Sequence, residues 1–595
     1  MFRPLATIKR LPLLFSSMAA ALRDERTRRR LRKAVIWLFP ILPIFAVAIV
    51  VYLFFENTGR GDPAIASASA SILLVAAVAI WRLRRKLPWL FSAILVVAAS
   101  HMLANQILTG APVQAVLVIV SFILAAIMVA RLDVAVLVMM VTSATVIYPT
   151  ALPSPITIGG GGFGSGELLL IFMVFVGFVK AYKNRRHVSS PLTPAVLCLF
   201  LAVLLALVVG YRVYLANPRG FYLFEHAYNA ARGMFRYLGF FAILYGIKDK
   251  KEYRFVFNAT LFLACVVSAV VVAQYFLGRH VQLFLGSPEG FIGRVEGEQD
   301  VSVTRLSPPG VPLMLLMLTT CLYLASAYKG KVAVRYGVLT AILAAGVILT
   351  FSRTSWISIG LAVLLILVLS PMDVKGRALA TMGYMAAAAV VASIALAIAV
   401  PGRAEPLQRA LVNRVESVLH SRKTYDTTGA YRRNESRRVL KLALQHPIFG
   451  IGLGETLDYD FLRQPGPNGR LQEFQVPKRT IHNSYINIWA QYGVLGLIAF
   501  GWISVVFIYR GLALWRRADE LWIRGIGLCF VLTYIGLLVR SLAAMTLLGQ
   551  LWEIAVTCYM WGMVEVGHMV AVRNPTSQIQ LDVLDGAVRT PAHAE

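Results

Sequence analysis

Three short segments carry the residue types that could do chemistry. His482-Asn483-Ser484-Tyr485 follows a long polar loop and opens an apolar run, and Arg353 and the pair Arg432-Arg433 precede it in the chain. A histidine with an ordinary pKa near 6.5 can accept a proton from a hydroxyl. Guanidinium groups stay charged and bind phosphate oxygens through paired hydrogen bonds. This combination predicts proton transfer at His482 beside an anionic group held by arginine.

The elements around these segments are apolar helices. Of the 595 residues, 58% are hydrophobic and only 15% are charged, which is typical of a chain embedded in a bilayer. A spanning helix needs about 20 mostly apolar residues. The pattern predicts an all-α, polytopic membrane protein with about 16 transmembrane helices. The predicted spans are 34–55, 64–81, 88–109, 112–130, 132–148, 167–182, 192–214, 227–247, 254–276, 309–328, 333–351, 354–370, 378–400, 484–509, 521–541 and 549–572.

The net charge of +29 at first suggests a nucleic-acid partner, but the basic residues form short clusters between apolar runs. Such clusters mark cytoplasmic loops, and here they follow every second predicted span. No nucleic-acid partner is expected, and both termini are predicted to be cytoplasmic. The first apolar run has no small-residue cleavage site, so it is an anchor rather than a signal peptide. The clusters are 23–33, 82–86, 183–187, 248–254, 329–335, 375–377 and 510–524.

This topology divides the chain into five parts. They are a basic cytoplasmic N-terminus (1–33), a transmembrane region (34–400), a periplasmic loop with partial helical content between the thirteenth and fourteenth spans (401–483), C-terminal transmembrane helices (484–572) and a cytoplasmic tail (573–595). The part of the loop from 401 to 482 holds 14 Lys and Arg against 8 Asp and Glu. A basic outer loop suggests an anionic partner.

Several familiar sites are absent from the sequence. The five cysteines all fall in apolar runs without CxxC pairing, which argues against disulfides and zinc. The glycine-rich stretch 159–166 lacks the GKS or GKT ending of a phosphate-binding loop, so we interpret it as a flexible connector. No HExxH or GxSxG pattern lies in a usable context. No cofactor and no metal are expected.

Three separated motifs together resemble the O-antigen ligase and Wzy polymerase superfamily. They are Thr350-Phe351-Ser352-Arg353-Thr354-Ser355-Trp356, then the segment from His446-Pro447 to Gly454, then His482-Asn483-Ser484-Tyr485 followed by Gly493 and Gly496. Their order and spacing match over roughly residues 335–500. The spacing from His482 to Gly493 is similar to a motif of the polymerase branch.

The resemblance implies a metal-independent membrane glycosyltransferase of the GT-C kind in the bacterial inner membrane. Its donor would be a glycan on undecaprenyl diphosphate, used at the periplasmic face to build O-antigen or exopolysaccharide. The family's functional residues fall on Arg353, on Arg432 or its neighbour Arg433, and on His482. The family often has Trp four residues after the second arginine, where this chain has Ser436. His446-Pro447 and the glycines after it are interpreted as a turn that ends a loop helix.

Other residues are weaker candidates for binding the diphosphate or the glycan. Arg232 lies in an apolar span near the outer face, one helical turn from Arg236, and Glu167 and Glu225 are possible partners for this pair. Arg305 stands where a span begins. Asn483 and Tyr485 adjoin His482, and Asn483 can instead cap the helix that follows.

Alternatives remain open at this stage. A polymerase would join one lipid-linked repeat to another, whereas a ligase would transfer the glycan to a lipid A core, and a protein acceptor is a third possibility. Chain-length regulators and export proteins are possible partners. A transporter would place charges and broken helices near the middle of the bilayer, whereas these residues gather at one face. Snorkelling is the ordinary explanation for Arg353, and burial or snorkelling is the ordinary explanation for Arg232 and Arg305. For Arg432 and Arg433 it is a solvated loop charge.

Overall fold

The computed structural model describes residues 131–147, 156–158, 161–163, 165–183, 190–216, 228–278, 283–284, 292–294, 304–399, 407–412, 415, 427–465, 471–546 and 551–571. All of them belong to one compact unit, Ile123–Glu595. The predicted spans at 34–55, 64–81, 88–109 and 112–130, the N-terminal segment and the C-terminal tail lie outside these residues. The total of about 16 spans therefore stays a prediction.

The described part is predominantly helical, as predicted. In chain order the helices are α1 (Leu132–Ser143), α2 (Ser165–Lys183), α3 (Leu192–Ala216), α4 (Tyr228–Phe235), α5 (Gly239–Gly246), α6 (Lys250–Leu277), α7 (Val311–Ala327), α8 (Gly330–Ile348), α9 (Arg353–Leu369), α10 (Met372–Ala399), α11 (Thr427–Gln445), α12 (Ser484–Arg517), α13 (Leu521–Arg540) and α14 (Leu551–Ala571). The predicted span 227–247 is divided, because a 3-10 turn at Arg236–Leu238 separates α4 from α5.

Six helices of the described part are long and apolar enough to cross a membrane. They are Leu192–Leu215, Lys250–Leu277, Gly330–Ile348, Ser484–Arg517, Leu521–Arg540 and Trp552–Ala571. Burial differs strongly among them: the apolar window is 83% buried in α14 and 72% in α13, but only 22% in α8. A helix that is apolar on every side and enclosed by others forms the core of a helical body. We therefore place α13 and α14 at its centre.

Within the described residues, three two-stranded antiparallel hairpins accompany the helices, and they were not predicted from the sequence. They pair β1 (Ile156–Ile158) with β2 (Gly161–Phe163), β3 (Ile292–Arg294) with β4 (Thr304–Leu306), and β5 (Asp458–Pro465) with β6 (Leu471–Lys478). The first occupies part of the stretch interpreted as a flexible connector. Ile158 pairs with Gly161 there.

The helices alternate in direction, which fixes what lies at each end of the helical body. α7 and α13 are antiparallel: Leu324 packs on Gly525, whereas Pro312 and Leu537 line one cleft further along. Only residues 328–329 join α7 to α8, so α8 returns and α9 begins where α7 begins. The backbone N–H of Ser484 donates to the carbonyl of Ser541 (3.0 Å), which brings the start of α12 to the end of α13. We call this end the His482 end.

Candidate functional site

His482 is held by a carboxylate from another element. Its backbone N–H donates to Oε2 of Glu435 (3.0 Å), and its ring Nδ1 lies 2.9 Å from the same oxygen. Glu435 is on α11 and is fully buried, whereas the side chain of His482 is 35% exposed. The imidazole is thus anchored on one edge, and the exposure leaves its other edge accessible to a ligand.

The charge on Glu435 determines which ring nitrogen of His482 carries a proton. Burial would raise the pKa of Glu435, but hydrogen bonds from His482 and from Lys478 outweigh burial and lower its pKa to about 2. An ionised carboxylate only accepts hydrogen bonds, so Nδ1 of His482 is the donor. In the neutral imidazole Nε2 then has the lone pair, as a proton acceptor requires.

Lys478, the last residue of β6, is the second partner of Glu435. Its Nζ lies 2.5 Å from Oε1 of Glu435, and it donates to the Tyr431 hydroxyl at 3.2 Å. Burial lowers the pKa of Lys478, but its bonds to Glu435 and Tyr431 outweigh burial and raise the pKa to about 12. The ring of Tyr431 stands edge-on to His482, with 6.3 Å between centroids. One carboxylate therefore joins a helix, a hairpin and the candidate base.

Further contacts fix α11 against the hairpin and α12. Arg438 donates from Nε and Nη2 to the two carboxylate oxygens of Asp458, at 3.0 and 2.7 Å. A buried apolar cluster lies beneath this pair. Paired bonds of this kind fix the orientation of both partners, so the position of Glu435 is well defined. The cluster consists of Val439, Ala443, Leu457, Ile481 and Ala490.

Arg432 and Arg433 are adjacent on α11 but differ in their surroundings. Arg432 donates from Nη1 to the carbonyl of Ala543 at 3.0 Å, and its Nε is buried without a hydrogen-bond partner among the described residues. Arg433 is exposed. Ala543 follows the end of α13, so Arg432 lies against the helical body near the start of α12, whereas Arg433 points to the outside.

The segment from His446 to Gly454 is a turn that ends α11, as the sequence predicted. The indole of Trp489 and the backbone N–H of Val494 both donate to the carbonyl of Pro447, at 3.1 and 2.9 Å. Leu453 donates to the carbonyl of Ala206 in α3 at 2.9 Å. The turn is thereby inserted between α3 and α12.

Gly493 allows α12 to accept this turn. It interrupts the helix with φ 67° and ψ −170°, a region that L side chains rarely adopt. A Cβ at this position would lie 2.0 Å from the carbonyl oxygen of Ile448. Gly493 is therefore required both by its backbone conformation and by close packing.

Arg353 is the first residue of α9. The chain reverses after α8 through Phe351, a buried non-glycine residue in the left-handed region (φ 50°). Ser352 then caps α9 by accepting from the N–H of Ser355. Arg353 Nε is buried and has no hydrogen-bond partner within the described part of the chain. The motif thus delivers one guanidinium to the His482 end, at a turn that costs about 1–2 kcal/mol of backbone strain.

The remaining sequence candidates have structural partners or lack a described side chain. Arg232 and Arg236 both donate to Glu167 in α2, with shortest contacts of 2.6 and 2.5 Å. Glu167 is one of the two acidic partners that the sequence suggested for this pair. Arg305 lies in β4, opposite Gly293. Asn483 caps α12 by accepting from the N–H groups of Tyr485 and Ile486, and the Tyr485 hydroxyl donates to the carbonyl of Leu538 at 2.7 Å. A ligand-binding role for these residues stays a prediction.

Four charged residues at this end were not predicted from the sequence. Glu435 follows Arg432 by three positions on α11 and is one of few acidic residues in a basic segment. Its contact with His482 was not predicted because the two residues are 47 positions apart in the chain. Lys478 lies in the same basic segment, where nothing in the sequence distinguishes it from the other basic residues. Arg540 and Glu553 form a buried ion pair (2.8 Å) where α13 ends and α14 begins. An ionisable residue inside an apolar run indicates a functional site. Glu553 lies inside such a run, so the sequence could have identified it.

The arrangement supports one kind of chemistry. A carboxylate-oriented imidazole faces the outside at the His482 end, and Arg353 and Arg432 bring guanidinium groups to the same end. Within the described residues, no group of three His, Cys, Asp or Glu side chains is placed to hold a metal ion. These residues can accept a proton and bind an anionic leaving group.

Part of this chain is similar to a known protein family. A search of curated proteins found none similar to the chain. A family model described as O-antigen ligase matches residues 338–501, a region that contains α9, α11, the β5–β6 hairpin and the first half of α12. Arg353, Arg432, Glu435 and His482 all lie within it. The resemblance to the O-antigen ligase and Wzy polymerase superfamily is confirmed for this region.

Proposed function

We propose that this chain is a membrane glycosyltransferase that takes a glycan from undecaprenyl diphosphate at the periplasmic face and polymerises O-antigen or exopolysaccharide repeat units. The observation that carries the proposal is the His482 imidazole held through Nδ1 by the ionised Glu435 carboxylate. The family match to residues 338–501 supports the reaction class. A base that accepts the proton of the attacking hydroxyl accelerates transfer of a sugar to that hydroxyl.

In the proposed reaction, His482 Nε2 accepts the proton of the acceptor hydroxyl. The acceptor oxygen forms a bond to the anomeric carbon of the donor sugar as the bond from that carbon to the phosphate oxygen breaks. The lipid diphosphate leaves with the bonding electrons. Glu435 does not take the proton, but its negative charge stabilises the imidazolium that forms. It is therefore a positioning residue for His482.

Arg353 and Arg432 are proposed to bind the diphosphate. Each has a buried Nε without a hydrogen-bond partner among the described residues, so each retains donor capacity for an anion. Donors aimed at developing negative charge stabilise a transition state most when water is excluded. The contact of Arg432 with Ala543 would hold its guanidinium near the start of α12.

The distribution of basic clusters supports a periplasmic site. The described helices alternate so that the clusters at 329–335, 375–377 and 510–524 fall at the end opposite His482. Cytoplasmic loops are enriched in Lys and Arg. The His482 end would then face the periplasm, where lipid-linked glycans are joined.

The proposal is tested by deleting the gene in its native host and complementing it at matched membrane abundance. We expect His482→Ala, Arg353→Ala and Arg432→Ala to fail to restore surface glycan, because each removes the base or a diphosphate ligand. Arg433→Ala is the matched comparison on the same helix, and its exposure predicts a smaller loss. Full complementation by the first three variants would contradict the catalytic assignment.

The lipid-linked intermediates in the deletion strain distinguish the two branches. Accumulation of single lipid-linked repeats supports a polymerase, whereas accumulation of long lipid-linked chains supports a ligase that transfers to a lipid A core or another acceptor. A transporter on the same scaffold is the alternative of a different class. It predicts loss of glycan movement across the membrane and no glycan transfer by the purified wild-type protein.

A further inference from the structure

The turn that ends α11 lies at the depth of the membrane-crossing helices. The backbone N–H of Leu453 donates to the carbonyl of Ala206, which stands nine residues before the end of the apolar helix Leu192–Leu215. Nine helical residues rise about 13 Å. On the other side of the turn, the N–H of Val494 in α12 donates to the carbonyl of Pro447 at 2.9 Å. The turn therefore lies beside two apolar helices rather than above their ends.

The backbone of this turn meets the requirement that membrane depth imposes. Besides the Pro447 contact, the N–H of Gly450 donates to the carbonyl of His446 (3.0 Å), and the N–H of Ile451 donates to the carbonyl of Ala490 (2.8 Å). Gly450 and residues 452–454 are buried. Irregular backbone is tolerated at membrane depth where it is buried in protein and its polar groups are paired.

The side chains that project from this segment are apolar and exposed. Ile448 is 54% exposed, Phe449 is 50% exposed, and Leu444 in the last turn of α11 is 58% exposed. Ile448 lies against Gly493, next to a strip of exposed apolar residues on one side of α12. A continuous apolar surface of this kind on a membrane-crossing helix faces lipid. The strip consists of Val494, Leu495, Ile498, Trp502 and Val505.

Two cations precede these apolar side chains on α11. Arg437, Lys441 and Leu444 are four and three residues apart, so they share one face of the helix. Arg437 and Lys441 are exposed, and neither forms an ion pair within the described part of the chain. The carboxylates of Glu435 and Asp458 are bound by other side chains. Like charges four residues apart destabilise a helix, so an external anion would stabilise this pair.

We propose that the end of α11 and the turn form a membrane anchor. Leu444, Ile448 and Phe449 enter the acyl region of the leaflet at the His482 end, and Arg437 and Lys441 bind the phosphate groups of its anionic lipids. Amphipathic segments bind bilayers through apolar burial together with attraction to anionic headgroups. The cations precede the apolar side chains by about one to three helical turns, which places them at headgroup level.

The anchor has a consequence for the site. Glu435 lies on the same helix, so contact with lipid holds Glu435 and His482 at a fixed height above the leaflet. The anchor is independent of the reaction, since neither His482 nor the arginines proposed to bind the diphosphate take part in it.

A fluorescent label in lipid nanodiscs measures the depth of the turn. The full-length protein with Cys198→Ala and Cys265→Ala is labelled with NBD at Ile448→Cys, because the other three native cysteines are buried. We expect lipids spin-labelled near the headgroup end of the acyl chain to quench this label, and aqueous iodide to have little effect. Arg433→Cys, nearer the start of α11, is the matched control, and its exposure predicts the reverse pattern.

Lipid preference tests the two cations. The discs contain phosphatidylcholine and phosphatidylglycerol in equal parts, with the spin label on one or the other. We expect labelled phosphatidylglycerol to quench the label at position 448 about fivefold more, because each cation near the surface attracts anionic lipid. Arg437→Gln combined with Lys441→Gln should abolish this preference. Arg516→Gln combined with Arg517→Gln removes the same charge at the opposite end of α12 and should preserve it.

Three results would overturn the anchor. Equal quenching by iodide at positions 448 and 433 would place the turn in water. Shielding from both quenchers would mean that protein, such as a second copy of the chain, covers the turn. An unchanged preference after loss of both cations would mean that they do not contact headgroups. Phe449→Cys is the second labelling position if Ile448→Cys does not fold. Glycan transfer is not measured, so these results stand apart from the proposed function.

Discussion

At the scale of single residues, the most informative contact joins His482 to Glu435. The sequence identified His482 and Arg353 because each adjoins an apolar run, whereas Arg432 was identified through the family resemblance. Glu435 was not identified, because its pairing with His482 is a tertiary contact between α11 and the start of α12. Sequence spacing predicts contacts along one helix, but it does not predict contacts between separate elements.

We expect Glu435→Gln to lower kcat about 10- to 100-fold and to leave KM nearly unchanged. Glutamine can still accept a hydrogen bond from Nδ1, but it carries no charge to stabilise the imidazolium in the transition state. Asp458→Asn is the matched control, because Asp458 binds Arg438 on α11 without a described contact to His482. It should reduce stability more than kcat. A normal kcat in Glu435→Gln would show that the carboxylate has only a structural role.

The low pKa of Glu435 predicts a specific dependence of stability on pH. Its pKa is lowered from 4.5 to about 2, so the contribution of its bonds to the free energy of unfolding is fully present above pH 4.5. That contribution is lost as the pH falls from 4.5 toward 2. The difference in thermal midpoint between wild type and Glu435→Gln should therefore shrink over this range. A difference that stays constant would contradict the assigned charge.

At the scale of elements, the turn at 446–454 and the kink in α12 act together. The sequence predicted the turn correctly, because proline and closely spaced glycines break regular structure. It predicted α12 as a continuous span, because the apolar pattern runs through Gly493 without a change. The partner that requires the kink is the carbonyl of Ile448, and a hydropathy pattern contains no information about such a contact.

Gly493→Ala should destabilise the protein by more than about 2 kcal/mol, because alanine would adopt a positive φ and meet the Ile448 carbonyl. Gly501→Ala is the matched control in the same helix, where a Cβ would meet nothing within 4 Å. It should be neutral or slightly stabilising, since alanine favours helix more than glycine does. Thermal unfolding in detergent measures both. Equal midpoints for the two variants would refute the packing argument.

At the scale of the whole molecule, hydropathy predicted where most of the described apolar helices lie, and six of these helices are long and apolar enough to cross a membrane. It could not predict which helices are central, because α8 and α13 both read as apolar runs although their burial differs greatly. It also missed the hairpins, since the short β1 and β3 carry too few residues for a period-2 pattern and β5 contains charged residues. The burial of a helix and the pairing of two strands depend on the assembled helical body, so a hydropathy pattern does not predict them.

The sidedness of this body can be measured directly. We expect Arg433→Cys, at the His482 end, to react with a membrane-impermeant maleimide in intact spheroplasts. Asp519→Cys, between α12 and α13 at the opposite end, should react only after lysis, because the basic clusters there indicate the cytoplasm. The wild type gives the background from its native cysteines. The reverse labelling pattern would place the site in the cytoplasm and contradict the proposed donor face.

Glycan transfer by the purified protein tests the central claim most directly. The chain is incubated with lipid-diphosphate-linked repeat units in neutral detergent, and glycan length is followed on gels for wild type and His482→Ala. We predict longer glycans and released lipid diphosphate from the wild type, and a loss of at least about 100-fold in His482→Ala. Glu565→Gln, distant from His482, should match the wild type. Transfer by His482→Ala at the wild-type rate would contradict the account.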